Sequence, residues 1–103
     1  MREKDPAPYD LPMLFDAAIP GADLVSRGLS DLEAGRHSAE ALLVSIGAPR
    51  LRQLGIGVVN PIAAPEHELY RLLSETDSDS AHGRYNALVR RLVSFERALA
   101  CAS

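Results

Sequence analysis

The chain has 103 residues, 47% of them apolar and 24% charged, with net charge −3 and a single cysteine. That is enough apolar material for one modest core and too much for wholesale disorder. One cysteine excludes an internal disulfide framework and a cysteine-cluster zinc site, and no apolar run approaches the 18 residues that would span a membrane. Leu and Ala, 15 of each, are strong helix formers and dominate the apolar set, so almost no sheet is expected. Ten of the eleven basic residues are Arg. With so much Ala, that bias fits a GC-rich bacterial genome, and it weakens the inference from any single Arg to Arg chemistry.

Residues 1–9 lack periodicity and carry two prolines, so they read as a disordered lead to one domain over residues 10–103. Residues 11–19 are dense in large apolar groups, with Pro12 suited to a first helical turn. Met13, Leu14 and Phe15 are expected either to dock on the domain or to enter a partner's groove. The run is broken by Pro12 and Asp16, which does not make a signal-peptide core, and a cytoplasmic protein is expected.

Pro20-Gly21 predicts a turn. Ala22, Val25, Leu29 and Leu32 then repeat at helical spacing, with Gly35 as a left-handed cap. Ser38 is placed to cap the next helix, whose core face would be Ala39, Leu42, Leu43 and Ile46. Pro49 removes a donor and clashes with the carbonyl of Ser45, so that helix is expected to stop or kink near Gly47-Ala48, with one or two more turns before Gly55. Residues 55–65 read as a loop pinned by Val58, Val59 and Ile62. Pro65 opens the third helix, with Glu66 and Glu68 in its first turn and Leu69, Leu72 and Leu73 on its buried face.

The strongest pattern is at the C-terminus. Ala81, Tyr85, Leu88, Leu92, Phe95 and Leu99 are spaced 4, 3, 4, 3 and 4 apart, one face of a helix about 30 Å long. Val89 and Val93 widen that face. The predicted fold is all-α: a small bundle of four to five helices, with a long amphipathic helix over about residues 79–101 as its spine. The expected core comprises Leu14, Val25, Leu29, Leu32, Leu42, Leu43, Ile46, Leu51, Leu69, Leu73, Tyr85, Leu88, Leu92, Phe95 and Leu99.

Candidate chemistry is sparse. Asp77, Asp79 and His82 could present three ligands to a divalent ion, but a calcium loop needs more oxygens and a zinc site needs a second element. Helix capping accounts for the same residues. Glu66, His67 and Glu68 are adjacent on a helix and point about 100° apart, so they do not converge. His37 stands alone in a turn, Cys101 has no evident His partner, and there is no phosphate loop or Ser-nucleophile motif. No catalytic residue, metal or cofactor is assigned. An enzyme at Asp77, Asp79 and His82 is the least favoured function.

Residues 81–103 carry four Arg and one Glu, whereas residues 1–80 carry 7 basic and 13 acidic groups. Arg84 and Arg91 are seven apart, as are Arg90 and Arg97, and the four are read as a stripe beside or opposite the core. Residues 22–46 have a helix-turn-helix look, but the would-be recognition helix has no cation to contact phosphate. The leading expectation is a small non-catalytic protein–protein interaction module, an accessory or regulatory subunit or a self-associating bundle. Arg84, Arg90, Arg91, Arg97, Met13 and Phe15 are its candidate contacts. Its partner would be another protein or its own copy, with no membrane. The alternative is a nucleic-acid-associated protein using the Arg stripe.

Overall fold

The computed structural model describes residues 19–102. They form four helices: α1 (Ala22–Glu33), α2 (Ala39–Gln53), α3 (Pro65–Thr76) and α4 (Ala81–Ala102). There is no strand among the described residues.

The hub of the packing is α2, which touches each of the other three helices. Its buried residues run Ala41, Leu42, Leu43, Val44, Ser45, Gly47, Ala48 and Leu51, around the whole circumference. A helix apolar all round is an interior helix. The one-sided face expected of α2 is corrected by this placement; the last helix, expected as the spine, also touches each of the other three. The longest helix lies against the hub, burying Ala81, Leu92, Phe95 and Leu99.

Two helix ends are sealed in the same way. Gly35 sits at φ 77° after α1, its N–H donating to the Leu32 carbonyl and that of Arg36 to the Asp31 carbonyl. After α2, Gly55 sits at φ 95°, and the N–H groups of Gly55 and Ile56 reach the Arg52 and Leu51 carbonyls. Both are Schellman closures, which bring the residue after the glycine against the third-last helical residue. After α2 that pair is apolar and buried, Ile56 on Leu51. After α1 it is ionic: Arg36 Nε donates to Asp31 Oδ1 at 3.1 Å. The other carboxylate oxygen of Asp31 accepts from the Ser38 hydroxyl, while Ser38 Oγ accepts from the Ala41 amide at 3.1 Å and so caps α2. The Ser38 hydroxyl and then the Arg36 guanidinium hold the Asp31 carboxyl below its ordinary range.

Pro49 does not end α2. The helix continues to Gln53 with the proline ring exposed. A proline inside a helix costs about 3 kcal/mol, but Ala48 and Leu51 flank it and are both buried, and the Schellman closure lies beyond it. Fully burying a leucine stabilises by about 1.5–3 kcal/mol, so packing on both sides offsets the local defect. The connection after α2 is tied down by polar bonds as well as by Ile56 and Val58. Ser45 Oγ, buried, donates to the Ala41 carbonyl at 2.9 Å and accepts from the Ile62 amide at 2.9 Å. Arg52 Nη2 donates to the Val58 carbonyl at 2.7 Å. Val59, expected to pin the loop, is 48% exposed and does not. Ala64 precedes α3 at φ 48°, a left-handed conformation that costs a non-glycine residue about 1–2 kcal/mol.

Of the expected core, Val25, Leu32, Leu42, Leu43, Leu51, Leu69, Leu73, Leu92, Phe95 and Leu99 are buried, while Leu29, Ile46, Tyr85 and Leu88 are half-buried against them. Leu14 lies outside the described residues.

Two predictions follow from the α1–α2 pair. A Cβ built on Gly28 would lie 2.4 Å from the Glu40 carbonyl oxygen and from a Val44 methyl, so the helices must separate to admit it. Gly28→Ala is expected to lower stability by about 1–3 kcal/mol in urea unfolding, whereas Gly57→Ala, with nothing within 4 Å, should be close to neutral. Because the folded state lowers the Asp31 pKa, its contribution is present above the ordinary carboxylate pKa and lost as pH falls through the folded value. Asp31→Asn should therefore destabilise the protein at neutral pH, with the gap to wild type closing in acid titrations of the urea midpoint.

Candidate functional site

The arginines read from the sequence all project from α4, but they do not make one stripe. At 100° per residue, the row Arg84–Arg91 and the row Arg90–Arg97 lie about 120° apart around the helix. The first row flanks the buried residues Leu92, Phe95 and Leu99; the second lies roughly opposite them.

Arg91 is engaged within the chain, its Nη2 donating to Asp23 Oδ1 of α1 at 3.2 Å, with both side chains at least half exposed. An ion pair so exposed is worth about 0–1 kcal/mol, so it orients the arginine more than it stabilises the fold. Arg84 and Arg91 bracket Ala87 and Leu88 in a shallow hollow of about 220 Å³. Arg84, Arg90 and Arg97 are exposed and make no ion pair among the described residues. The remaining charge of the helix, Glu96, is half-buried, turned toward α2 where a Cβ on Gly47 would stand 3.0 Å from its Oε2. Burial pushes its carboxyl pKa up, and Arg50 pulls the other way.

The other candidates are dispersed. Asp77 ends α3, and its Oδ1 accepts from the Asp79 amide at 3.1 Å, a turn-forming contact. His82 faces Asn86 at 3.3 Å and the Tyr70 ring at 6.3 Å; Tyr70 in turn packs at 5.8 Å on Tyr85. The sequence triad of Asp77, Asp79 and His82 is therefore not assembled, and no cluster of His, Cys, Asp and Glu able to hold a metal ion exists among the described residues. Glu68 accepts from Arg71 Nη2 at 2.8 Å, which lowers its pKa, and Glu75 pairs with the same guanidinium. His37 and Cys101 are exposed. Met13 and Phe15 lie outside the described residues.

One further feature lies on α1. Asp23, Ser26, Arg27, Ser30 and Asp31 of α1, with Arg36, line an open polar groove of about 580 Å³. Its signal was present as polar residues at 23, 26, 27 and 30, the helical spacing of one face. Its cations are already neutralised, Arg36 by Asp31 at 3.1 Å and Arg27 by Glu40 at 3.6 Å, which leaves little positive field for an anionic ligand.

No helix among the described residues is long and apolar enough to cross a membrane. Comparison of the chain with models of protein families, with curated proteins and with solved structures finds no match to any of the three.

The raised pKa of Glu96 gives a sign that can be checked. A carboxyl whose folded pKa lies above its unfolded value favours the folded state when protonated, and that advantage is lost as pH rises through the folded pKa. Glu96→Gln should accordingly raise the thermal midpoint at neutral pH and leave it unchanged in acid.

Proposed function

We propose that this chain is a small non-catalytic protein–protein interaction module, an accessory or regulatory subunit of a cytoplasmic assembly, built as a helical bundle with α4 as its amphipathic contact helix. The observation that carries the reading is the Arg90–Arg97 row: two exposed guanidinium groups two turns apart, opposite the buried face, with no ion pair among the described residues. Two arginine positions about 10 Å apart along one helix match carboxylates on a facing element. Such complementary charge contributes orientation and association rate more than affinity. The partner is another protein or a second copy of the chain.

The same row supports a second reading, in which it contacts nucleic-acid phosphates. The charge elsewhere favours the first, because residues 1–80 carry a net −6 and would repel a polyanion beyond the contact. A metal-dependent enzyme at Asp77, Asp79 and His82 has no support in the geometry of those residues.

Affinity capture with the tagged full chain, with and without nuclease, discriminates the readings. A stoichiometric protein is expected to survive nuclease and to be lost when Arg90→Glu and Arg97→Glu are combined, with helicity by circular dichroism unchanged. Disappearance of the captured material with nuclease would replace this reading with the phosphate one.

A further inference from the structure

Two faces of α4 carry the same helical spacing. The first, with Leu92, Phe95 and Leu99 at its centre, is buried in the chain's own core. The second lies about 200° around the helix, where Gly83, Ala87, Arg90, Ser94 and Arg97 repeat the intervals 4, 3, 4 and 3 and are all exposed. Such intervals keep one side of a helix along its whole length, as a contact with a second helix requires.

The charges at the two ends of this face are opposite, and both are unpaired. Arg90 and Arg97 make no ion pair among the described residues, whereas Arg91 beside them meets Asp23 at 3.2 Å. At the other end the Ser80 carbonyl accepts from the Arg84 amide at 3.0 Å, so the helical ladder starts at the turn that holds Asp79. Asp79 is exposed, and its carboxylate has neither a hydrogen bond nor an ion pair among the described residues. It stands 18 positions before Arg97, about 27 Å along the axis, which no side chain bridges. Cation and carboxylate on this face can meet only between molecules.

We propose that the occupant of this face is a second copy of the chain, its α4 antiparallel to the first in a two-fold dimer that joins Arg97 of each copy to Asp79 of the other. The proposal rests on the reading of the Arg90–Arg97 row as a protein contact and names the partner. The register that joins those ends sets Ser80 against the second copy's Arg97, Gly83 against its Ser94 and Ala87 against its Arg90. Each arginine stem thus lies over a small residue. Arg90 has the second copy's Asn86 beside it, and the Asn86 amide nitrogen faces His82 at 3.3 Å, which leaves its carbonyl oxygen to accept from the guanidinium. A parallel pair would stack Arg90 on Arg90 and Arg97 on Arg97, like charge on like. The register also gives a reason for Gly83. Glycine within a helix costs stability relative to alanine, and a Cβ there would meet nothing within 4 Å in the single chain. The overlap from Ser80 to Arg97 is about 25 Å of helix, a small interface and so a weak one.

Sedimentation velocity of the full chain under reducing conditions, from about 10 µM to about 1 mM, tests this. A monomer–dimer equilibrium that weakens with added salt is expected. Asp79→Arg alone and Arg97→Asp alone should each weaken dimerisation about tenfold at each of the two ends, about 100-fold in all, with circular dichroism unchanged. Mixed in equal amounts, the two variants should regain wild-type association, because every facing pair in the mixed dimer is again opposite in charge. A wild-type chain that stays monomeric throughout would overturn the proposal, as would a dimer that either variant leaves intact, or variants that remain monomeric when mixed. The reading beneath it is decided separately: a monomeric chain that still captures a different protein through Arg90 and Arg97 keeps the row as a protein contact and removes the second copy as its occupant.

Discussion

The crossing of α1 over α2 at Gly28 is the constraint on which the rest of the structure depends. There the Glu40 carbonyl and the Val44 side chain occupy the space any larger residue would need. This approach brings α1 close enough for Val25 and Leu32 to be fully or almost fully buried on the hub. It also fixes the short turn between the helices, in which Asp31, Arg36 and Ser38 satisfy one another and cap α2. Close packing leaves such a core little room to relax by sliding. With α1 held at this register, Gly21 is delivered to α4 and Asp23 to Arg91.

Much of this architecture was readable in the residues, and the exceptions have physical causes. The helix over 22–33, its glycine closure, the Ser38 cap and the Pro65 start all depend on local chemistry that a linear sequence displays. The central position of α2 does not. Its stretch AEALLVSIGA looks one-sided if Ala and Gly are discounted, yet small residues are the ones that allow neighbours to approach from every direction. Pro49 carries a real local penalty, yet the helix does not stop there: the burial of Ala48 and Leu51 on either side offsets it, and the helix runs on to its closure at Gly55 as the sequence suggests. Hydropathy alone makes Val59 an anchor, yet it is 48% exposed, while the Ser45 hydroxyl, which accepts from the Ile62 amide, is in sequence only one more polar residue in a helix.

The candidate site was legible as residue types but not as an arrangement. Seven-residue spacing pairs Arg84 with Arg91 and Arg90 with Arg97, and the same periodicity sets the two pairs about 120° apart around α4; which pair flanks the buried face depends on the packing of Leu92, Phe95 and Leu99. The Asp23–Arg91 contact joins residues 68 positions apart, a separation beyond any local pattern. The acidic and basic groups between Asp77 and His82 illustrate the reverse case, in which nearness in sequence did not produce convergence in space.

The Ser45 hydroxyl has a mechanical consequence. By donating to the Ala41 carbonyl within α2 and accepting from the Ile62 amide, a single buried oxygen fastens the end of the connection, three residues before α3, to the middle of α2. Arg52 adds a second fastening at Val58. The eleven residues between α2 and α3 are therefore tied to the side of α2 at two backbone positions, in addition to the buried Ile56 and Val58, and need no regular secondary structure of their own to hold their course.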